Sequence, residues 1–289
     1  MRVAVLGSTG QLGRDLVEIL QKSGKIAVAS LSHQDADCTR VESLRAALAR
    51  IQPQALINCA AFVRVDDCED QAPDAFEVNA LGALNVARAC AEIDATCVHV
   101  STDYVFDGGK AGAYVESDVT FPINIYGASK LAGELLVRQT APRWLIFRVA
   151  SLFGKAGARG KGGNFIETIL HKAREKEPLR IVDDIRVSPT YTRDAAGILC
   201  KLLQADITGI IHSANAGSCT WYEFARAALT LCRLDTPVEA VASSAYPTRA
   251  RRPSNSALAS ERLADLVNTP MPSWQAALRA YLIEKGHIQ

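Results

Sequence analysis

The sequence predicts an α/β protein built on a doubly wound parallel sheet, and three observations carry that prediction. Short apolar runs rich in branched residues recur between Arg2 and Ala150. The segments joining them are helix-periodic, so strand and helix alternate. The first apolar run ends in a glycine-rich turn that opens directly into a helix.

Composition sets the outer bounds. A chain of 289 residues fits one large domain or two small ones and can bury a sizeable core. Its residues are 48% hydrophobic, and its 32 basic and 31 acidic side chains leave a formal charge of +1. That balance gives no reason to expect nucleic acid or an anionic membrane as a partner. No apolar run is long enough to span a bilayer, and Val3 already belongs to an apolar strand, so no signal peptide is expected. The eight cysteines show no Cys-x-x-Cys and no pairing with histidine. Reduced, buried thiols in a cytoplasmic protein are the expectation.

Arg2–Leu6 reads as a buried parallel strand. Gly7-Ser-Thr-Gly10-Gln-Leu-Gly13 follows, and Arg14–Leu20 is helical in period. Strand, glycine turn and helix are the context of a dinucleotide site: glycines admit the pyrophosphate to the backbone, and the helix N-terminus offers free N–H groups. The same turn would also serve simply to pack helix on strand. Ile26–Leu31 is the second strand. An NAD site usually ends this strand with Asp or Glu, whereas Ser30, Ser32 and His33 stand here, so NADPH is tolerated. Asp37 and Cys38 begin a loop before a helix from Val41 to Arg50.

Ala55–Ala61 is a third strand, ending in small residues that let a cofactor approach. Phe62–Asp70 reads as a solvated polar loop, its carboxylates lacking the histidine partners of a metal site. A single helix is expected from Pro73 to Ile93, with Asn79 inside it. Cys97–Ser101 is the next strand, delivering Ser101 and Thr102 at its carboxyl end, where open parallel sheets bind ligands. Trp144–Ala150 is the strand after that. Beyond it, Gly154–Gly163 is a basic, glycine-rich loop, either a phosphate-gripping lid or disordered. Helices over Asn164–Arg174, Asp194–Leu203 and Trp221–Cys232 enclose short strands at Leu179–Val182 and Gly209–Ser213. Arg249–Arg252 is a basic cluster suited to substrate phosphates or to a solvated loop.

Tyr126-Gly-Ala-Ser-Lys130 is the stretch that carries chemistry. Four-residue spacing puts the phenol and the ammonium on one helix face, where the lysine is expected to lower the tyrosine pKa. A phenol so placed exchanges a proton with a carbonyl oxygen, and a hydroxyl from Ser101 or Thr102 could hold that oxygen. The spacing also occurs in ordinary amphipathic helices, so the remaining motifs decide.

Those motifs are GSTGQLGRDL (7–16), INCAAF (57–62), VHVSTDYVFDG (98–108), PINIYGASKLAGE (122–134), NFIETIL (164–170), SPT (188–190) and RPSNSAL (252–258). Together they resemble the extended short-chain dehydrogenase/reductase family and, within it, the dTDP-4-dehydrorhamnose reductase family. The resemblance implies a Rossmann-type domain over residues 1–153 and a smaller C-terminal α/β substrate-binding domain made mainly from 154–289, some of whose segments return to the sheet. It implies NADPH, or alternatively NADH, lying along Gly7, Gly10, Gln11, Leu12 and Gly13, past Ser30, with Asp37 and Cys38 near the adenine and Ala61, Phe62 and Val63 under its middle. Thr102 would hold the substrate carbonyl, Tyr126 would give the proton, and Lys130 would assist it and bind the nicotinamide ribose. Asp103, Ser151 and Asn164 would meet the substrate, a nucleotide-linked 4-keto-6-deoxy sugar. No metal is expected, and the resemblance leaves room for a homodimer.

Three stretches depart from the family pattern. Ser151 stands where the family resembles tryptophan, Asp67 where it resembles lysine, and Ile185 and Val187 alter the stretch before Ser188. The reaction class is therefore drawn more firmly than the sugar. Three other readings follow: a ketoreductase of a different keto sugar, a regulatory, NADP-binding subunit without turnover, resembling the β subunit of methionine adenosyltransferase, and an epimerase or dehydratase. Asp103-Tyr104 opposes the last, since the related dehydratases resemble one another in carrying Asp-Glu there.

Overall fold

A computed structural model describes residues 1–157 and 163–289. Six parallel strands form the central sheet: β1 (Arg2–Leu6), β2 (Ala27–Leu31), β3 (Ala55–Asn58), β4 (Thr96–Thr102), β5 (Trp144–Val149) and β6 (Gly209–His212). Their spatial order is β6-β5-β4-β3-β1-β2. The order reverses between β1 and β3, and such a reversal opens a crevice at the strands' carboxyl ends.

Both faces of the sheet are covered, so β1, β3, β4 and β5 are buried on both sides along nearly their whole length rather than alternating. Val3 and Val5 point to one face, against Leu12, Leu16 and Leu20 of the Gln11–Lys22 helix and Leu199 and Leu202 of the Thr192–Gln204 helix. Ala4 and Leu6 point to the other, against Leu44 and Leu48, Val86 and Cys90, and Val137. The Thr192–Gln204 helix and β6 thus bring late segments back onto the sheet. A separate apolar cluster gathers Phe153, Ile166, Leu170, Phe224, Leu278 and Tyr281 beyond the carboxyl edge.

Two expectations change. The helix drawn over Pro73–Ile93 is two α-helical stretches, Ala72–Phe76 and Gly82–Glu92, joined by a π-helical turn at Glu77–Leu81. Asn79 lies in that turn. Its amide accepts from the Phe62 N–H at 2.8 Å and donates to the Phe62 carbonyl at 3.1 Å, a clamp onto the end of β3. The solvated loop drawn over Phe62–Asp70 contains a short helix, Val65–Asp70, and its acids are engaged. Asp66 binds Arg252 at 2.7 Å, Asp70 pairs with Arg249, and Glu69 accepts from the Ile125 N–H at 2.9 Å. The basic cluster and the acidic stretch therefore hold each other, because folding brings two distant, oppositely charged segments together.

Candidate active site

A cavity of about 660 Å³ opens at the carboxyl edge of the sheet. At one end it is lined by Gly10, Gln11, Leu12 and Gly13. The glycine turn is pinned there by the Gly7 and Ser8 N–H groups, which donate to the Leu31 carbonyl. Gly7 has φ +76°, and a Cβ on Gly13 would stand 2.3 Å from the Gly7 carbonyl oxygen. These two glycines let the helix start against the turn. Gly10 caps the helix, and among the described residues no side chain caps its terminal N–H groups. The buried Gln11 Nε2 has no partner among the described residues. A helix N-terminus without a side-chain cap and an orphaned donor at one wall fit an anionic pyrophosphate, so the residues present suit a dinucleotide.

Ala61 and Val63 line the middle of the cavity, and Thr102, Asp103, Tyr126 and Lys130 line it beyond β4. The Ile125–Thr140 helix presents Tyr126 and Lys130 one turn apart; Asn124 caps it, accepting from the Gly127 N–H at 2.8 Å. Gly127 has its own reason: a Cβ there would lie 2.1 Å from the Tyr104 carbonyl oxygen. The glycine inside the Tyr126–Lys130 stretch thus lets the helix approach the end of β4.

The expected lysine-lowered phenol is not what this geometry produces. Burial raises the Tyr126 pKa, a bond to the Thr102 hydroxyl only partly offsetting it, with Asp103, Cys68 and Tyr104 adding to the rise. Lys130 Nζ instead donates to the Val100 carbonyl at 2.7 Å and lies 3.3 Å from His99 Nε2. Burial brings Lys130 itself down to about 8, against the opposing pull of Glu134. Such a phenol holds its proton until a strong base develops beside it, which is how a general acid behaves.

The two hydroxyls of β4 separate. Ser101 donates to Glu134, inside the protein. The Thr102 hydroxyl donates to Asp103 Oδ1 at 2.9 Å and accepts from the Tyr104 N–H at 3.2 Å. Asp103 is buried, its pKa lifted to about 6 by desolvation, and its Oδ2 has no well-formed partner, although the Ser256 hydroxyl lies beside it.

At the far end, Ser151 lines the cavity with φ +43°, and Asn164 does so as the cap of the Phe165–Arg174 helix. Asn164's amide is already committed, accepting from Glu167 N–H at 3.0 Å and donating to the Tyr281 hydroxyl at 2.8 Å. Phe165, Thr168 and Trp221 complete this end, the two rings 4.8 Å apart. The sequence reading named none of these three as site residues, although Phe165 and Thr168 lie in the NFIETIL stretch. They meet only because two helices separated by a long stretch of chain begin at the same wall.

Five named residues lie outside the cavity lining. Gly7 supports the turn, and Phe62 is the residue whose backbone Asn79 clamps. Ser30 is exposed at the end of β2. The Asp37 carboxylate is turned onto Thr39, and the buried Cys38 thiol packs where a Cβ on Gly82 would stand. Part of the lid expected over Gly154–Gly163 falls on 158–162, outside the described residues. Among the described residues no three His, Cys, Asp or Glu side chains gather as a metal set, and no helix is long and apolar enough to cross a membrane.

A family model described as the RmlD substrate binding domain matches residues 1–286. The chain belongs to the RmlD family. Within it, a dTDP-4-dehydrorhamnose reductase of Burkholderia thailandensis is 36% identical, covering 96% of this chain and 97% of that one. The spore coat polysaccharide biosynthesis protein SpsK of Bacillus subtilis is 37% identical, over 99% and 98% of the two chains. The crystal structure of dTDP-4-dehydrorhamnose reductase from Bacillus anthracis in complex with NADP superposes with a TM-score of 0.92 at 35% identity, covering 98% of this chain and 99% of that one. RmlD-family membership and the Rossmann-type fold are therefore as the sequence motifs implied. In this RmlD-family chain the aromatic surface of the cavity's far end comes from Phe165 and Trp221, with Ser151 adding none.

Proposed function

We propose that the protein reduces the 4-keto group of a nucleotide-linked 6-deoxy sugar with NADPH, converting dTDP-4-dehydro-L-rhamnose to dTDP-L-rhamnose. The observation that carries this is one continuous cavity running from a helix N-terminus without a side-chain cap, past Thr102, Tyr126 and Lys130, to the Phe165–Trp221 pair. Relatives named dTDP-4-dehydrorhamnose reductase, one of them solved with NADP, support the same reading.

In this reading the nicotinamide nucleotide, held by Gly10, Gln11, Leu12 and Gly13, supplies the hydride. Thr102 orients the substrate carbonyl oxygen. Tyr126, whose phenol keeps its proton at neutral pH, delivers it to that oxygen as negative charge develops. Lys130 holds the ribose side of the cavity and favours loss of the Tyr126 proton once the site is filled. Asp103 offers its unpaired oxygen to a sugar hydroxyl, and the pyrimidine–sugar end rests on Phe165 and Trp221 beside Ser151 and Asn164. A cytoplasmic protein accords with eight free cysteines. A homodimer accords with Leu81 and Leu135, large apolar side chains exposed on the π-helical turn and on the Ile125–Thr140 helix.

The test is oxidation of NADPH with dTDP-4-dehydro-L-rhamnose as substrate. Rapid loss of nicotinamide absorbance with a single product epimer is the expected result. NADPH binding without oxidation by that sugar or a panel of other nucleotide-linked keto sugars would overturn it in favour of a regulatory subunit.

A further inference from the structure

His99 sits at the centre of β4 with no exposed surface, and nothing in the proposed reaction uses it. Its two ring nitrogens face two different polar groups. Nδ1 is 3.4 Å from Asn58 Nδ2, and Nε2 is 3.3 Å from Lys130 Nζ. The orientation of the Asn58 amide is set independently, because its Oδ1 accepts from the Ala60 N–H at 3.1 Å. Asn58 therefore presents a donor to His99 Nδ1.

That arrangement imposes a proton logic. A neutral imidazole carries one N–H and one bare nitrogen. With Nδ1 bare to accept from Asn58, Nε2 must carry the hydrogen, and it points at Lys130. That is satisfactory only when Nζ offers a lone pair, so this tautomer matches a neutral amine. When Lys130 is an ammonium, Nε2 must accept and the hydrogen moves to Nδ1, where it meets the Asn58 N–H groups donor to donor. Each state of the lysine thus selects one tautomer of the histidine, and only the neutral lysine leaves all three side chains paired.

We propose that His99 is a positioning residue for the reduction: a neutral imidazole whose tautomer switches with the charge of Lys130, and which, with Asn58, weakens that lysine's hold on its proton. The proposal rests on the assignment of Lys130 to the reductase site. The proton gained or lost resides on Nζ throughout, and the imidazole stays neutral. Burial agrees with this, holding the His99 pKa well below its ordinary value, with the Lys130 charge pushing the same way. The other titratable groups facing Lys130 are Glu134 on its own helix, which is ion-paired with Arg148, Cys59 beyond β3 and Cys38 before the Val41–Ile51 helix. Tyr126 stands one turn earlier on the same helix. None of these carries a mobile hydrogen between two fixed partners as His99 does.

The consequence is a lysine that can pass its proton on near neutral pH. Activity in the wild type should fall as pH rises through about 8, where Lys130 loses its charge. His99→Gln puts a carbonyl oxygen near the Nε2 position, a fixed acceptor for the ammonium. In that variant the basic limb of the kcat/KM profile should move up by about one pH unit. His99→Leu offers no acceptor, and its limb should not move up. A limb at the wild-type position in His99→Gln, with NADPH affinity retained, would overturn the proposal.

A second measurement needs neither a variant nor turnover. Nitrogen-15 histidine spectra of the intact wild-type protein should show His99 in the Nδ1–H form below about pH 8 and in the Nε2–H form above it. A single tautomer across that range, or an imidazolium, would overturn the switch. Because this readout is independent of substrate, a switching His99 in a protein that reduces no keto sugar would sink the reductase reading and leave the proton coupling standing.

Discussion

Arg148 and Glu134 form a buried two-point ion pair, Nη2 to Oε2 at 2.6 Å and Nε to Oε1 at 2.9 Å. Their side chains are 3% and 1% exposed. The pair ties β5 to the Ile125–Thr140 helix one turn beyond Lys130, and Glu134 also takes the Ser101 hydroxyl of β4. β4, which ends in Thr102, the helix that carries Tyr126 and Lys130, and β5 are thereby held at one carboxylate. Glu134→Ala would leave Arg148 charged, buried and unpaired, a loss of about 3–5 kcal/mol. Urea unfolding checks this, and an unchanged midpoint would mean that Arg148 finds another partner.

Tyr126→Phe removes the only proton the phenol can give while keeping the ring. Turnover should fall by about 100- to 10,000-fold, with NADPH affinity retained. Lys130→Ala should weaken both turnover and NADPH binding, since Lys130 lines the same cavity. Steady-state rates and cofactor titration separate the two, and near-wild-type turnover in Tyr126→Phe would remove the phenol from the mechanism.

The glycines of the first turn should divide by role. A Cβ on Gly10 meets only the Gly7 carbonyl oxygen, at 3.2 Å, and then open cavity. Gly10→Val should therefore keep the fold and lose NADPH affinity. Gly13→Ala drives a Cβ to 2.3 Å from the same oxygen, so it should cost about 1–3 kcal/mol of stability as well. Thermal melts with and without NADPH distinguish the cases. Full NADPH affinity in Gly10→Val would move the pyrophosphate elsewhere.

Asp103 gives a pH prediction. Its folded-state pKa of about 6 lies above the ordinary 3.8, so the charged form is the one the fold disfavours. The carboxyl contributes stability that is fully present below the unfolded-state value and is lost as pH rises through about 6. Asp103→Asn removes the charge and should stabilise the protein by about 2 kcal/mol at pH above 7, an advantage that shrinks toward pH 4. The same change should lower turnover, because an amide cannot accept from the Thr102 hydroxyl and a sugar hydroxyl as a carboxylate does. Melting curves across pH give the first effect. A constant difference at every pH would show that the charge is not its source.

Much of the sheet was legible because its signals are local. β1, β3, β4 and β5 are mostly apolar runs without alternation, since both faces of each strand are covered, and the glycine turn between β1 and its helix is written in adjacent residues. Thr102, Tyr126 and Lys130 were legible for the same reason: strand end and helix turn set where they point. The π-helical turn at Glu77–Leu81 was not legible, since the Asn79 side chain in it is bonded to the backbone of Phe62, in a separate stretch of the chain. The Asp66–Arg252 and Asp70–Arg249 pairs escaped notice likewise, each joining segments far apart in the chain.

By itself the sequence determined the fold class and the family, and placed Thr102 at a strand end and Tyr126 and Lys130 on one helix face, because these follow from periodicity and short motifs. Only the tertiary structure decided the electrostatics among them. Spacing on a helix placed Lys130 near Tyr126, but the ammonium has three donors and goes to the nearest buried acceptors, the Val100 carbonyl and His99. Burial then raises the tyrosine and lowers the lysine. Proximity along a helix is a local property, whereas the dielectric and the competing partners around a charge are set by every element packed against it.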